Sequence, residues 1–389
     1  MSKKLTPNVR FKGFSDDWKQ HKLGDIVDSF SGGTPNVNNK EYYDGTIPFI
    51  RSAEINRKTT ELYLSQKGVD NSSAKLVKKG DVLYALYGAT SGEVGISSIT
   101  GAINQAILCM RPTQNYNAGF IVQKLCSLKG KVTSKYLQGG QGNLSGSIVK
   151  NLKFKFPKIS EQDKINNLFL IIDSTIASNQ KQLDQLKTLK KLFLKKIFDQ
   201  EWRFKGFTDP WKQRKLGQVA SRVTRKNKNL ESTLPLTISA QNGLVDQREF
   251  FDKVVASKNV SGYFLVKKGE FAYNKSYSKG YPVGAIKRLD KYSMGVLSTL
   301  YIVFTPEKVN SQFLATYYES TSWYREVIKV SAEGARNHGL LNISPNDFFS
   351  TKLEIPVNSK EQENIGEVIS FIDEIIASNQ RKGKSGNKG

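Results

Sequence analysis

The residues best placed to do chemistry lie between Glu93 and Glu161. There 67 residues pass without one carboxylate, while Arg111, Lys124, Lys129, Lys131, Lys135, Lys150, Lys153, Lys155 and Lys158 supply nine positive charges. Inside this stretch runs Gln138-Gly-Gly-Gln-Gly-Asn-Leu-Ser-Gly-Ser147, a glycine-rich loop whose amides and hydroxyls are of the kind that hydrogen-bond base edges or phosphates. The plainer alternative is a flexible polar surface loop. A cationic surface with no carboxylate to neutralise it favours polyanion binding, driven by counterion release.

The chemistry of bond breaking finds little support. With only His21 and His338 in the chain, general base catalysis and zinc sites of familiar spacing have few candidates. Cys109 and Cys126 cannot form a disulfide framework and read as small apolar residues in a reducing compartment. Gly383-Lys384-Ser385 lacks the earlier glycine of a phosphate-binding loop, and neither a Gly-x-Ser-x-Gly elbow nor an Asn/Asp-Pro-Pro-Tyr/Phe methyltransferase motif occurs. These readings predict a protein that binds rather than catalyses, with no metal and no cofactor of its own. A stand-alone nuclease or methyltransferase of unfamiliar motif, and a coiled-coil nucleic-acid-binding scaffold, are the alternatives.

The whole chain carries 59 Lys and Arg against 35 Asp and Glu, a net charge of +24 over 389 residues. Hydrophobic residues at 38% suffice for packed cores, and the length suits two or three domains. No apolar run approaches a membrane span, and Met-Ser-Lys-Lys-Leu-Thr-Pro is no signal core, so a cytoplasmic protein with no membrane partner is expected.

The elements that must position these residues come twice. Arg10-Phe-Lys-Gly-Phe-Ser-Asp-Asp-Trp-Lys-Gln-His-Lys-Leu-Gly-Asp-Ile26 returns as Arg203-Phe-Lys-Gly-Phe-Thr-Asp-Pro-Trp-Lys-Gln-Arg-Lys-Leu-Gly-Gln-Val219, identical at 12 of 17 positions. Because Asp17 becomes Pro210 in the second copy, Asp17-Trp18-Lys19 reads as part of this repeat rather than as a nuclease fragment. Glu161 to Gln180 returns as Glu361 to Gln380, identical at 10 of 20, and Leu76-Val-Lys-Lys-Gly-Asp81 as Leu265-Val-Lys-Lys-Gly-Glu270. Short apolar runs such as Val82–Tyr87, Ala106–Met110 and Leu300–Phe304 predict strands, and looser spacing predicts helices at Ala118–Leu128 and Ser311–Val330. Each half is therefore a mixed α+β domain.

Ser160–Phe198 has a different texture. Ile165, Phe169, Ile172, Ile176, Asn179, Leu183, Leu186, Lys190, Phe193 and Ile197 recur at spacings of three or four, which predicts a helix of about 38 residues and about 57 Å. Its apolar seam needs a partner, for which Glu361–Gln380, with Ile372 and Ile376 on the matching seam, is the obvious candidate.

With these features the chain resembles the DNA-specificity subunits of type I restriction-modification systems. The likeness rests on Trp-Lys-x-x-Lys-Leu-Gly at the start of each half, Tyr87-Gly-Ala-Thr-Ser-Gly-Glu-Val-Gly-Ile96, Ala102-Ile-Asn-Gln-Ala106, the Gly139–Ser147 loop and the two Glu-Gln-x-x-Ile helix starts. It covers about Phe11 to Gln380, and the order of domain, helix, domain, helix is its most specific part. The resemblance implies an α+β chain of two pseudo-repeated target-recognition domains, 1–157 and 201–356. Long conserved helices, 158–200 and a shortened 357–380, join them and pack as an antiparallel coiled coil, before a basic, disordered tail at 381–389. It further implies double-stranded DNA with a split, asymmetric recognition sequence as ligand. Two modification subunits carrying S-adenosylmethionine, and restriction subunits using ATP and Mg, are the implied partners.

Carried over residue by residue, the resemblance nominates Gln138, Gln141, Asn143 and Ser145 with Lys135 and Lys150 as DNA contacts in the first domain, and Tyr87, Thr90 and Ser91 beside them. In the second it nominates Arg336, Asn337, His338 and Asn342 with Lys275, Ser276 and Lys279. Arg and Asn can pair bidentately with guanine and adenine, and Lys more often holds phosphate. One departure is plain: after Gln180 the first copy continues through Lys181–Phe198, whereas the second turns to Arg381-Lys-Gly-Lys-Ser-Gly-Asn-Lys-Gly389, with no apolar residue. The expectation is that the seam from Leu183 to Ile197 lacks an intramolecular partner.

Overall fold

A computed structural model describes residues 7, 9–137, 143–239, 242–251, 256–257, 259–276, 280–331 and 341–385, with side chains described to 381. It divides into two compact units, Met1–Thr175 and Ile176–Gly389.

The first unit contains strands β1 (Lys19–Lys22), β2 (Val27–Ser31), β3 (Ile47–Ile50), β4 (Leu62–Leu64), β5 (Lys75–Val77), β6 (Val82–Ala85), β7 (Val94–Ile96), β8 (Gly101–Ile103), β9 (Ile107–Pro112) and β10 (Lys153–Phe156). Its helices are α1 (Gln66–Asp70), α2 (Ala118–Tyr136), α3 (Gly146–Lys150) and the start of α4 (Ile159–Phe198). One sheet runs β2-β9-β6-β7, a second β4-β3-β8-β5, and β1 pairs with β10. The continuous apolar runs of β6 and β9 follow from burial on both faces. Val82, Tyr84, Leu108 and Met110 turn to the core under α2 with Phe120, Ile121 and Leu125. Their neighbours Leu83, Ala85, Ile107 and Cys109 turn to Ile50, Val77 and Ile103 of the second sheet.

The second unit repeats the plan with β11 (Lys212–Lys215), β12 (Ala220–Val223), β13 (Leu236–Ser239), β14 (Gly243–Asp246), β15 (Phe264–Lys267), β16 (Phe271–Asn274), β17 (Ala285–Arg288), β18 (Met294–Leu297), β19 (Ile302–Pro306) and β20 (Lys352–Ile355). Helices α5 (Leu216–Val219), α6 (Gln247–Phe251), α7 (Ser311–Tyr317), α8 (Tyr324–Val330), α9 (Pro345–Ser350) and α10 (Ser359–Ser385) accompany them. Sheet β12-β19-β16-β17 matches β2-β9-β6-β7, and β11 pairs with β20 as β1 does with β10.

The repeated sequences have physical reasons. Glu161 accepts from Arg10 Nε (2.9 Å) and Nη2 (2.6 Å), and Glu361 from Arg203 Nε (2.9 Å) and Nη2 (2.8 Å). Gln162 accepts from the Asn117 amide and donates to the Pro157 carbonyl; Gln362 does the same with Asn310 and Pro356. Each Glu-Gln pair thus clamps the domain's first residues, and the start of α2 or α7, to the helix that follows. In Lys78–Asp81 and Lys267–Glu270 a tight turn needs glycine, with φ +100° at Gly80 and +89° at Gly269. The acid closes each turn onto the amide of Lys78 or Lys267 and pairs with Arg111 or Arg225.

Three expectations change. Helix α2 runs eight residues past Leu128, and Ser311–Val330 is two helices, α7 and α8. The break falls at Tyr318–Trp323, where Ser320 donates to the Tyr317 carbonyl and accepts from the Ser322 amide, drawing the backbone out of the helix. The tail expected to be disordered from 381 remains helical to Ser385, so Arg381 ends no helix.

The long helix α4 has 40 residues, about 60 Å. Within the second unit its last turns meet α10 antiparallel: Ile197 lines one groove with Ile365 and Val368, while Lys190 pairs with Asp373, so one number falls as the other rises. Leu194, Ile197 and Phe198 are buried in one core with Trp211, Phe313, Ile365, Ile369 and Ile372. The expectation of a bare seam at 183–197 is therefore corrected. The exposed seam residues are instead Leu168, Phe169, Ile172 and Ile176.

Candidate nucleic-acid interface

Two arrangements recur in the two units, the first of them where the sequence placed its candidates. In the first unit the chain leaves β6 into a loop at 86–91, and the limb that enters α3 is pinned against it. The Leu144 amide donates to the Leu86 carbonyl at 2.8 Å, and Tyr87 and Asn143 form an antiparallel bridge. Buried Leu144 is the peg, and Asn143 and Ser145 on either side stay exposed. In the second unit the Leu341 amide donates to the Lys275 carbonyl at 3.0 Å, Ile343 is the buried peg and Asn342 is exposed beside it.

The structure thus brings Tyr87 and Thr90, both half-buried, together with Asn143 and Ser145, and brings Lys275 and Ser276 together with Asn342. Ser145 also caps α3, accepting from the Ile148 amide at 3.3 Å. Lys135 and Lys150 are exposed in the last turns of α2 and α3, where cations also suit the helix dipole. The Lys275 ammonium leans on the Ile343 carbonyl at 3.4 Å. Ser91 is a correction: it is 5% exposed, and its hydroxyl donates to the carbonyls of Gly88 and Leu86, so it holds the loop and presents nothing to a ligand. Gln138, Gln141, Lys279, Arg336, Asn337 and His338 lie outside the described residues.

The second arrangement escaped the sequence reading. Ribbon β1/β10 carries Lys19, Lys22, Lys153 and Lys155, and its register sets Lys22 directly opposite Lys153. Ribbon β11/β20 carries Lys212, Arg214, Lys215 and Lys352, with Lys215 opposite Lys352. Like charges directly opposite are destabilising, so a repeated pair points to a partner of opposite charge. The period-two alternation of Lys153-Phe-Lys-Phe156 was the available signal: buried Phe154 and Phe156 fix which face the lysines take.

Not every cation of the acid-free stretch is free. Arg111 pairs with Asp81 at 2.8 Å, Lys129 with Glu93 and Lys158 with Asp16. Lys124 lies over the rings of Trp18 and Phe120, and burial pulls its ammonium below the ordinary lysine value. Burial pushes the Asp81 carboxyl up, but Arg111 and the Lys78 amide outweigh it and hold the group below the usual carboxylate range. Among the described residues no three His, Cys, Asp or Glu cluster as metal ligands.

Two α+β units, each with a clamped start, a basic ribbon and a pinned polar loop, define a class of paired recognition modules on a shared helix. The family described as type I restriction modification DNA specificity domain matches residues 15–188. Over those residues the chain is similar to that family. It is 28% identical over 194 residues to the type I restriction enzyme MjaIX specificity subunit of Methanocaldococcus jannaschii, a match that takes in 47% of this chain and 44% of that one. The MjaVIII specificity subunit of the same organism aligns at 21% identity over 93% of this chain and 87% of its own. In fold the chain is similar to the S subunit of a type I restriction-modification system from M. genitalium. The TM-score is 0.61 at 15% identity, over 98% of this chain and 96% of that one.

Proposed function

We propose that this chain is the non-catalytic DNA-recognition subunit of a type I restriction-modification assembly, reading a bipartite, asymmetric site in double-stranded DNA. One observation carries the reading: the same ribbon and pinned loop are built twice, with different residues on each loop, Asn143 and Ser145 in one and Lys275, Ser276 and Asn342 in the other. Identical readers would select a palindrome, whereas divergent ones select two different half-sites. Charge at the ribbons holds phosphate, and the loop amides and hydroxyls read bases. An α4 of about 60 Å is long enough to set half-sites one helical turn of about 34 Å or more apart.

The chemistry belongs to partners: modification subunits, two by the logic of two half-sites, using S-adenosylmethionine on adenine, and restriction subunits using ATP and Mg. The place of action is the cytoplasm, where DNA is met. The test is methylome sequencing of a host carrying the chain with its modification partner, before and after exchange of residues 18–157 for those of a relative. The exchange should change one half-site and leave the other and the gap unchanged. An unchanged site, or methylation or cleavage by the purified chain alone, would overturn the proposal.

A further inference from the structure

The turn that enters β9 is built again at the entry to β19. Asn104 accepts from the Ala106 amide at 3.1 Å, and the Ile107 amide donates to the Asn104 carbonyl at 3.3 Å. Ser298 accepts from the Leu300 amide at 3.4 Å, and the Tyr301 amide donates to the Ser298 carbonyl at 3.2 Å. Short polar side chains in such turns hold their own backbone two residues on. The frame is therefore shared, while the residues at its tip differ: Gln105-Ala106 in the first unit, Thr299-Leu300 in the second.

Each turn lies beside the pinned loop of its unit. The Leu86 amide donates to the Ala106 carbonyl at 2.8 Å and the Leu86 carbonyl accepts from the Leu144 amide, so turn, loop and limb run side by side. In the second unit Tyr273 pairs with Ile302. Two further steps of that register bring Leu300 to Lys275, whose carbonyl accepts from the Leu341 amide.

The two tips suit different base edges. Gln105 is exposed, and Thr34 Oγ1 donates to its Oε1 at 2.7 Å, which sets the direction of the amide and leaves Nε2 and one lone pair of Oε1 free. An amide so presented matches adenine, whose N6 donates and N7 accepts in the major groove. Leu300 is 63% exposed, where its counterpart Ala106 is 8% exposed. A single exposed leucine is ordinary on a protein surface. This one stands beside the recognition loop, and the apolar feature that a major groove offers it is the thymine methyl.

We infer that these turns are a second reading element in each unit: Gln105 reads an adenine in one half-site, and Leu300 packs on a thymine methyl in the other. The inference rests on the DNA-recognition reading and adds two specificity-determining residues to it. One frame thereby gives the two units different preferences without changing how either turn is held.

The experiment mixes the full chain and its modification partner with a duplex library of random sequence and sequences the duplexes that bind, for wild type, Gln105→Ala and Leu300→Ala in parallel. Gln105→Ala should relax one adenine position in one half-site and Leu300→Ala one thymine position in the other, with every other position kept. The untouched half-site reports that each variant is folded. On wild type, deoxyuridine at that thymine removes the methyl alone and should weaken binding about fourfold, the effect of burying one such group. On Leu300→Ala it should change nothing. Variants that return wild-type sites, or that weaken all sequences alike, would overturn the inference and leave the DNA-recognition reading standing. A wild-type chain that returns no preferred sequence would overturn both.

Discussion

Lys190→Met tests how α4 and α10 are held in register. The Lys190 ammonium, on a side chain 16% exposed, pairs with Asp373 Oδ1 at 2.5 Å and with Glu319. Burial alone would lower the lysine's pKa, but Glu319 and Asp373 together raise it. For Asp373 burial raises the carboxyl's pKa and Glu319 adds to this, while Lys190 pulls it down without cancelling them. Removing a partner from a fully buried pair costs about 3–5 kcal/mol. Here the Glu319 and Asp373 side chains are 30% and 43% exposed, so solvent screening cuts this to about 2 kcal/mol at pH 7.

The sign with pH follows from the directions. A raised lysine pKa keeps its stabilisation intact below about 10.5, through the whole neutral range. A raised carboxyl pKa gives stabilisation that is full below about 3.9 and fades as pH rises through the folded value. Lys190→Met raises the Asp373 value further, so the variant's penalty should grow between pH 4 and pH 7. Urea unfolding read by hydrogen exchange in 187–198 and 365–380 measures it in the second unit alone. Asp373→Asn added to Lys190→Met should recover at least half the loss. A penalty independent of pH, or no penalty at pH 7, would refute the reasoning.

Three further outcomes are expected. Replacing Lys22, Lys153 and Lys155 by Gln should flatten the log–log salt dependence of duplex binding by about 0.9 for each phosphate no longer neutralised, and an unchanged slope would remove the ribbon from the interface. Phe198→Ala should cost about 3–5 kcal/mol in the second unit, because the ring is buried among Trp211, Phe313 and Tyr317. At pH 8 a maleimide should label exposed Cys126 but not Cys109, whose thiol is buried and pushed up to about 12, until urea unfolds the first unit.

Much of the fold could be read in advance because its signals are local. The repeats reported two units, since Arg10, Glu161 and Gln162 and their counterparts Arg203, Glu361 and Gln362 make the same bonds twice and admit little substitution. Strands β6 and β9 showed as unbroken apolar runs because both their faces are covered. The Ser311–Val330 helix was misread for an equally local reason, a Ser-Thr-Ser cluster able to satisfy its own backbone. The site was harder. Ser91 and Asn143 look alike as polar loop residues, and only the pairing of Leu144 with Leu86 decides that one hydroxyl faces inward and the other side chain faces solvent. That pairing joins residues 58 positions apart, which no periodicity reports.

The bare seam was misplaced for a geometric reason. The helices are expected antiparallel, but the bare seam was placed by matching Glu161–Gln180 with Glu361–Gln380 position for position, as if like positions faced each other, which strands the end of α4. The observed pairs, Ile197 near Ile365 and Lys190 with Asp373, run the other way, and their numbers sum to about 563. Leu168, Phe169, Ile172 and Ile176, towards the other end of α4, are the exposed seam residues. A repeat thus defines which residues are equivalent but not which residues touch. In an antiparallel pair, equivalent residues sit at opposite ends.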